Sequence, residues 1–152
     1  MAYTTVEARD RIIGDLEAAE EELGLAIACL GEAFELLATG SADRLEDELF
    51  RPVQKAFART KRTRTGFAQR VAQETDEPAS KQPGPPSQGA KGFVQQAIAA
   101  ASQADLILSE LQDSMMPVEG GDAELRASLS EVRELLSPLR VSAATFLRTL
   151  GR

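Results

Sequence analysis

The chain has 152 residues, of which 43% are hydrophobic and 27% charged, with no His, no Trp, one Cys and a formal net charge of −7. That length supports one sizeable core and not two, so a single soluble domain is expected. Without His, and with Cys29 as the only thiol, most metal-binding and nucleophilic constellations are missing before any spacing is examined. The acidity argues against a general binder of nucleic acid or of anionic membranes.

The charge is segmental. Residues 1–50 carry 3 basic and 13 acidic groups, residues 51–73 carry 7 basic and none acidic, and residues 74–152 carry 7 and 11. No apolar run approaches the roughly 18 residues of a membrane span, and Glu7 and Asp10 sit where a secretory leader needs bases and an apolar core. A cytoplasmic protein with no membrane partner is expected, and the single Cys fits a reducing compartment. Thirteen Arg against four Lys, with 24 Ala, suggest GC-rich bacterial coding.

The first predicted helix covers about residues 4–38. Its large apolar residues, Ile13, Leu16, Leu23, Ile27, Leu30, Phe34 and Leu37, alternate three and four apart, with Glu20 in the one skipped slot. Thr39-Gly40-Ser41 then offers a glycine to close that helix and a serine to cap the next. The second helix covers about 42–75, with a seam through Leu45, Leu49, Val53, Ala56, Thr60, Thr63, Phe67 and Val71. Pro52 predicts a kink or break in it.

Residues 76–90 hold four Pro and two Gly but no large apolar side chain, and are expected to form a mobile, disordered Pro/Gly-rich linker. Pro83, Pro85 and Pro86 lack the basic flanks of a groove-docking polyproline ligand. The third helix, about 91–115, has the seam Val94, Ala97, Ala101, Ala104, Leu108, Leu111 and Met115, and Pro117 with Gly120-Gly121 ends it. The fourth, about 122–150, carries Leu125, Leu129, Val132, Leu136, Leu139, Ala143, Phe146 and Leu150, with a kink near Pro138. Residues 48–53 and 134–139 share a Glu-Leu-x-x-Pro-apolar pattern, which either an old duplication or chance similarity of two amphipathic helices would produce. The expected architecture is all-α: an antiparallel up-down-up-down four-helix bundle.

Two surface features follow. Arg51, Lys55, Arg59, Arg62 and Arg70 fall within one arc of the second helix at about 100° per residue, forming a basic stripe beside the seam. The first helix could neutralise it through Asp10, Glu17, Glu21, Glu32 and Glu35, or the stripe could face a protein partner or an anion. Flanking acids and the lack of stacking aromatics within the stripe disfavour nucleic acid. Leu25, Cys29 and Leu36 form a narrow apolar strip away from the seam of the first helix, the candidate self-association face of a homodimer.

Chemistry is sparse. Glu20 and Asp105 are the seam carboxylates, each better explained as a register device or a salt bridge to Arg than as a metal ligand. Cys29 has Glu32 near it and nothing to lower its pKa. No glycine-rich phosphate loop or nucleophile elbow occurs, so no cofactor, metal or catalytic residue is expected. The chain reads as a non-enzymatic helical interaction or scaffold module that self-associates or binds another protein. The alternative is an anionic-ligand or nucleic-acid accessory protein acting through the basic stripe.

Overall fold

The computed structural model describes residues 4–150, which are all helix and connecting segments with no strand among them. Helix α1 runs Thr5–Leu36 and opens with a reciprocal cap: Thr4 Oγ1 accepts from the Glu7 amide at 3.1 Å, and the Thr4 amide donates to Glu7 Oε2 at 3.2 Å. It ends where Leu37 turns extended, ahead of Gly40. Gly40 and Ser41 therefore lie inside the next helix, α2 (Thr39–Leu45), and the expected glycine closure and serine cap do not form.

The second arm starts earlier than expected and is not uniform. Between α2 and α3 (Arg51–Arg70) lies one π-helical turn, Glu46–Phe50, in which the Arg51 amide donates to the Glu46 carbonyl. Pro52 explains it: its ring would strike the carbonyl four residues back in a regular helix, and widening the preceding turn relieves that clash. The arm stops at Arg70, short of residue 75, because Ala72 adopts φ +53° and the Gln73 amide closes on the Ala68 carbonyl at 3.0 Å. Thr60 and Thr63, polar members of its seam, donate to the carbonyls of Ala56 and Arg59 at 2.8 and 2.7 Å, so they bury without an orphan hydroxyl.

Helix α4 covers Gly89–Asp113 and is followed by a single turn, α5 (Met116–Glu119). Gly120 lets that turn lie on the start of α1; a Cβ there would stand 2.8 Å from the Ala8 Cβ. The last predicted helix is two: α6 (Ala123–Leu136) and α7 (Leu139–Leu150), parted at Ser137-Pro138, and α7 packs on the π-helical turn. Pro138 thus divides the fourth arm rather than kinking a continuous helix.

Contacts fix the directions. Arg64 meets Glu20 while Phe57 meets Gly24, so α3 runs antiparallel to α1. Arg9 reaches the Gly120 carbonyl at 3.1 Å while Asp15 feels Glu110, so α4 is antiparallel to α1 as well. The pairs Arg70–Asp122 and Arg59–Glu131 set α6 antiparallel to α3, and Asp105–Arg133 with Gln112–Ser130 do the same for α6 and α4. The second and third arms therefore run parallel, and the succession is up-down-down-up, which corrects the expected up-down-up-down order.

The Pro/Gly-rich segment makes that order possible by returning along α1. Thr75 Oγ1 and the Asp76 amide both donate to Glu17 Oε2 at 2.8 Å, Lys81 pairs with Glu22, and the Gly84 amide donates to Gln96 Oε1 at 2.9 Å. The segment expected as a linker over 76–90 thus follows α1 as an extended strap, makes one tight turn at Pro86–Gln88 and enters α4 at Gly89, before the expected boundary. Proline supplies the extended backbone, and the acids of α1 supply acceptors for donors that have no helix to use them.

One apolar cluster draws on α1, α3, α4, α6 and α7. The most extensive contact is α1 on α4, where Ala19, Ala26 and Ala33 are buried in one helix and Ala97, Ala101 and Ala104 in the other. Small side chains let the two backbones approach closely.

Candidate functional site

The basic stripe lies where α3 adjoins α6. Val53, Ala56, Thr60, Thr63 and Phe67 are buried, and their spacing brings Lys55, Arg59 and Arg62 to the neighbouring edge. There they line a groove of about 570 Å³ with Ala58, while Glu131, Glu134 and Leu135 of α6 form the opposite wall. Arg59 and Glu131 join as an ion pair across it. Lys55, Arg62 and Glu134 are exposed and have no ion-pair partner among the described residues.

At the other end of the same face Arg70 grips Asp122 with two hydrogen bonds, Nε at 2.7 Å and Nη2 at 3.1 Å, and its Nη1 lies 3.2 Å from Glu124. The guanidinium also stacks over the Phe67 ring, 5.7 Å from its centroid. The hydrogen bond raises the Arg70 pKa and, from the other side, holds the Asp122 carboxyl below the usual carboxylate range. Asp122 also accepts the Leu125 amide at 2.8 Å, so the residue that receives the stripe's last arginine is the cap that starts α6.

Arg51 departs from the set. It lies one turn from Asp47 on its own arm, at 3.2 Å, with both side chains open to water. The stripe is therefore met by acids of α6 and of the π-helical turn, not by α1 as expected. Two of the five α1 acids, and a neighbour, are drawn elsewhere: Asp10 accepts from Gln73, Glu17 holds Thr75 and Asp76, and Glu22 holds Lys81. The strap occupies that side of α1, while the stripe points to the opposite side of α3.

The proposed apolar strip does not form. Cys29 is fully buried in the core, Leu25 is partly buried against it, and only Leu36 is open, at 56% exposure. The close α1–α4 contact widens the buried arc of α1 beyond its leucines, and it takes Cys29 with it. Burial pushes the Cys29 thiol up to about 11, and the nearby Glu32 charge adds to the effect.

The two seam carboxylates are separate and each has an arginine. Glu20 lies against Arg64, with side chains 3% and 1% exposed, and Asp105 accepts from Arg133 at 3.0 Å. Burial alone would pull the Arg64 guanidinium down, but hydrogen bonds and charge from Glu20 and Glu77 outweigh it and raise its pKa. Arg64 points inward, away from the stripe, and Glu20 is the sequence signal for it, since a carboxylate in an apolar seam needs a cation on the facing helix. A second cleft, about 440 Å³, opens at the Pro138 break between Ser102, Asp105 and Leu106 of α4 and Arg133 and Arg140 of α6 and α7.

Among the described residues no group of three or more Cys, Asp or Glu is placed to hold a metal ion, and no helix is long and apolar enough to cross a membrane. Comparison of the chain with protein-family models, with curated proteins and with solved structures finds no significant match.

Proposed function

We propose that this chain is a non-enzymatic helical interaction module, a bundle of four arms that docks a protein segment of complementary charge along the α3–α6 groove. The observation that carries this reading is the composition of the two walls. One presents Lys55, Arg59 and Arg62, the other Glu131 and Glu134, and Leu135 and Ala58 supply apolar surface between them. Exposed charges set orientation and association rate, while the apolar strip gives a helix something to bury.

The acidic wall weighs against the anionic-ligand and nucleic-acid alternative. A phosphate chain following Lys55, Arg59 and Arg62 would run beside Glu131 and Glu134, and beside Asp122 and Glu124 further along, within a chain of net charge −7. A helix can place an acidic edge against α3 and a basic or polar edge against α6; a polyanion cannot.

The test is a titration followed by amide chemical shifts, using a synthetic amphipathic helical peptide with one acidic edge and, separately, a single-stranded oligonucleotide of equal charge. The peptide is expected to shift amides of residues 55–70 and 124–135, more weakly as salt rises, with the response lost in K55Q/R59Q/R62Q. Shifts scattered away from these residues overturn the docking surface. A stronger, salt-sensitive response to the oligonucleotide replaces it with the alternative.

A further inference from the structure

We propose that the occupant of the α3–α6 groove is a second copy of this chain, related by a two-fold axis parallel to the helices; the inference rests on the docking reading above and names its partner. Two helices lie side by side on this face, one edged with bases and the other with acids. A two-fold axis across the helices would stack α3 on α3 and set like charges together. An axis along them exchanges left and right but keeps height, so α3 of each copy lies over α6 of the other.

The register of the pair then follows from the contacts within one copy. Arg59 is level with Glu131, and Arg70 with Asp122. Because the operation preserves height, Lys55 comes opposite Glu134 of the second copy, Arg59 opposite Glu131, and Arg62 within a turn of Glu131. Each contact occurs twice. Lys55, Arg62 and Glu134, which have no ion-pair partner among the described residues, gain one. Ala58 lies within a turn of Leu135 of the second copy, and the two supply apolar contact between the charged pairs.

The area is sufficient. The 20 residues of α3 extend about 30 Å, and two packed helices present a face about 20 Å wide. That is about 600 Å² per copy and about 1,200 Å² in all, at the lower bound of specific interfaces. The pairing is therefore sensitive to both salt and charge.

The test is the mass of the full chain by size exclusion with light scattering and refractive index, since one Tyr and no Trp give little ultraviolet signal. Twice the chain mass of 16.3 kDa is expected at low salt. K55E and E134K should each dissociate about 10-fold more readily, because each reverses a contact that occurs twice. Mixing the two variants should restore the double mass, since every reversed contact then meets its opposite; circular dichroism establishes that both are folded. A wild-type chain of single mass at all concentrations, or a dimer indifferent to both variants, overturns the second copy. If the chain is a monomer and the acidic-edged peptide still shifts the groove amides, this inference falls while the docking reading stands; if the peptide also fails, both fall.

Discussion

Arg64 Nε donates to Glu20 Oε1 at 2.8 Å across the α1–α3 contact, with both side chains closed to solvent, and Nη1 of the same guanidinium donates to Thr75 Oγ1 at 2.9 Å. One side chain therefore ties together two arms and the strap. Breaking a buried pair by removing one partner leaves a charge without compensation, at a cost of about 3 kcal/mol or more, whereas replacing both partners by apolar groups of similar size is often neutral. E20A and R64M are each expected to lose about 3 kcal/mol in urea unfolding, and E20L/R64M to return to within about 1–2 kcal/mol of wild type. Costs that simply add would show that the two residues do not act as a pair.

The same contact shows where sequence periodicity was a good guide and where it stopped. Leu16, Leu23 and Leu30 mark the seam of α1, and all three are buried. Ile13 is buried as well and Ile27 is partly buried against the core, while Ile12, Ala19, Ala26 and Ala33 complete the seam, because a helix packs by closeness and small side chains count as much as large ones. Phe34, the largest residue of the expected seam, is 37% exposed near the end of α1. With the alanines included the seam is rotated and Cys29 lies within the buried arc, which leaves no separate apolar strip.

The strap was hidden for a different reason. Its composition points to extended backbone, which holds as far as Pro85 before the turn at Pro86–Gln88, but whether such a segment is docked depends on acceptors elsewhere, here Glu17, Glu22 and Gln96. The basic stripe was legible because a helical wheel needs only one helix. Its neighbour was not, since the choice between α1 and α6 depends on the direction in which the strap returns the chain.

Asp122 couples the groove to stability at low pH. Its carboxylate accepts from Arg70 and caps α6 through the Leu125 amide, so D122A removes both contacts and is expected to cost about 1 kcal/mol, while D122N keeps a capping oxygen and costs less. The Arg70 hydrogen bond, opposed by burial and assisted by the Leu125 amide, lowers the Asp122 pKa in the folded protein. A lowered folded-state value means the stabilisation is fully present above the unfolded value of about 3.9 and is lost as pH falls from there through the folded value. The gap in urea midpoint between wild type and D122N should therefore be open at about pH 6 and narrow towards about pH 3. A gap of the same size at both would mean that the ionised carboxylate contributes nothing.

Cys29 gives an independent measure of how firmly α1 is enclosed. The thiol is fully buried, and burial followed by the Glu32 charge pushes its pKa up to about 11. At about pH 8 only about one molecule in a thousand would carry the reactive thiolate even if reagent could reach it, and the packed core denies access. Modification by a disulfide reagent must then wait for opening of the α1–α4 contact, so its rate should track unfolding, remaining negligible in buffer and becoming fast and stoichiometric in urea. E20A, which loosens the other side of α1, should accelerate it about tenfold for each 1.4 kcal/mol of lost stability if opening is global. L36E, at an exposed position, should leave both the rate and the oligomeric mass unchanged. A native Cys29 that reacts at the rate of a free thiol would mean that the face around Leu25, Cys29 and Leu36 opens to solvent, and would return it to the role of an interaction strip in place of the α3–α6 groove.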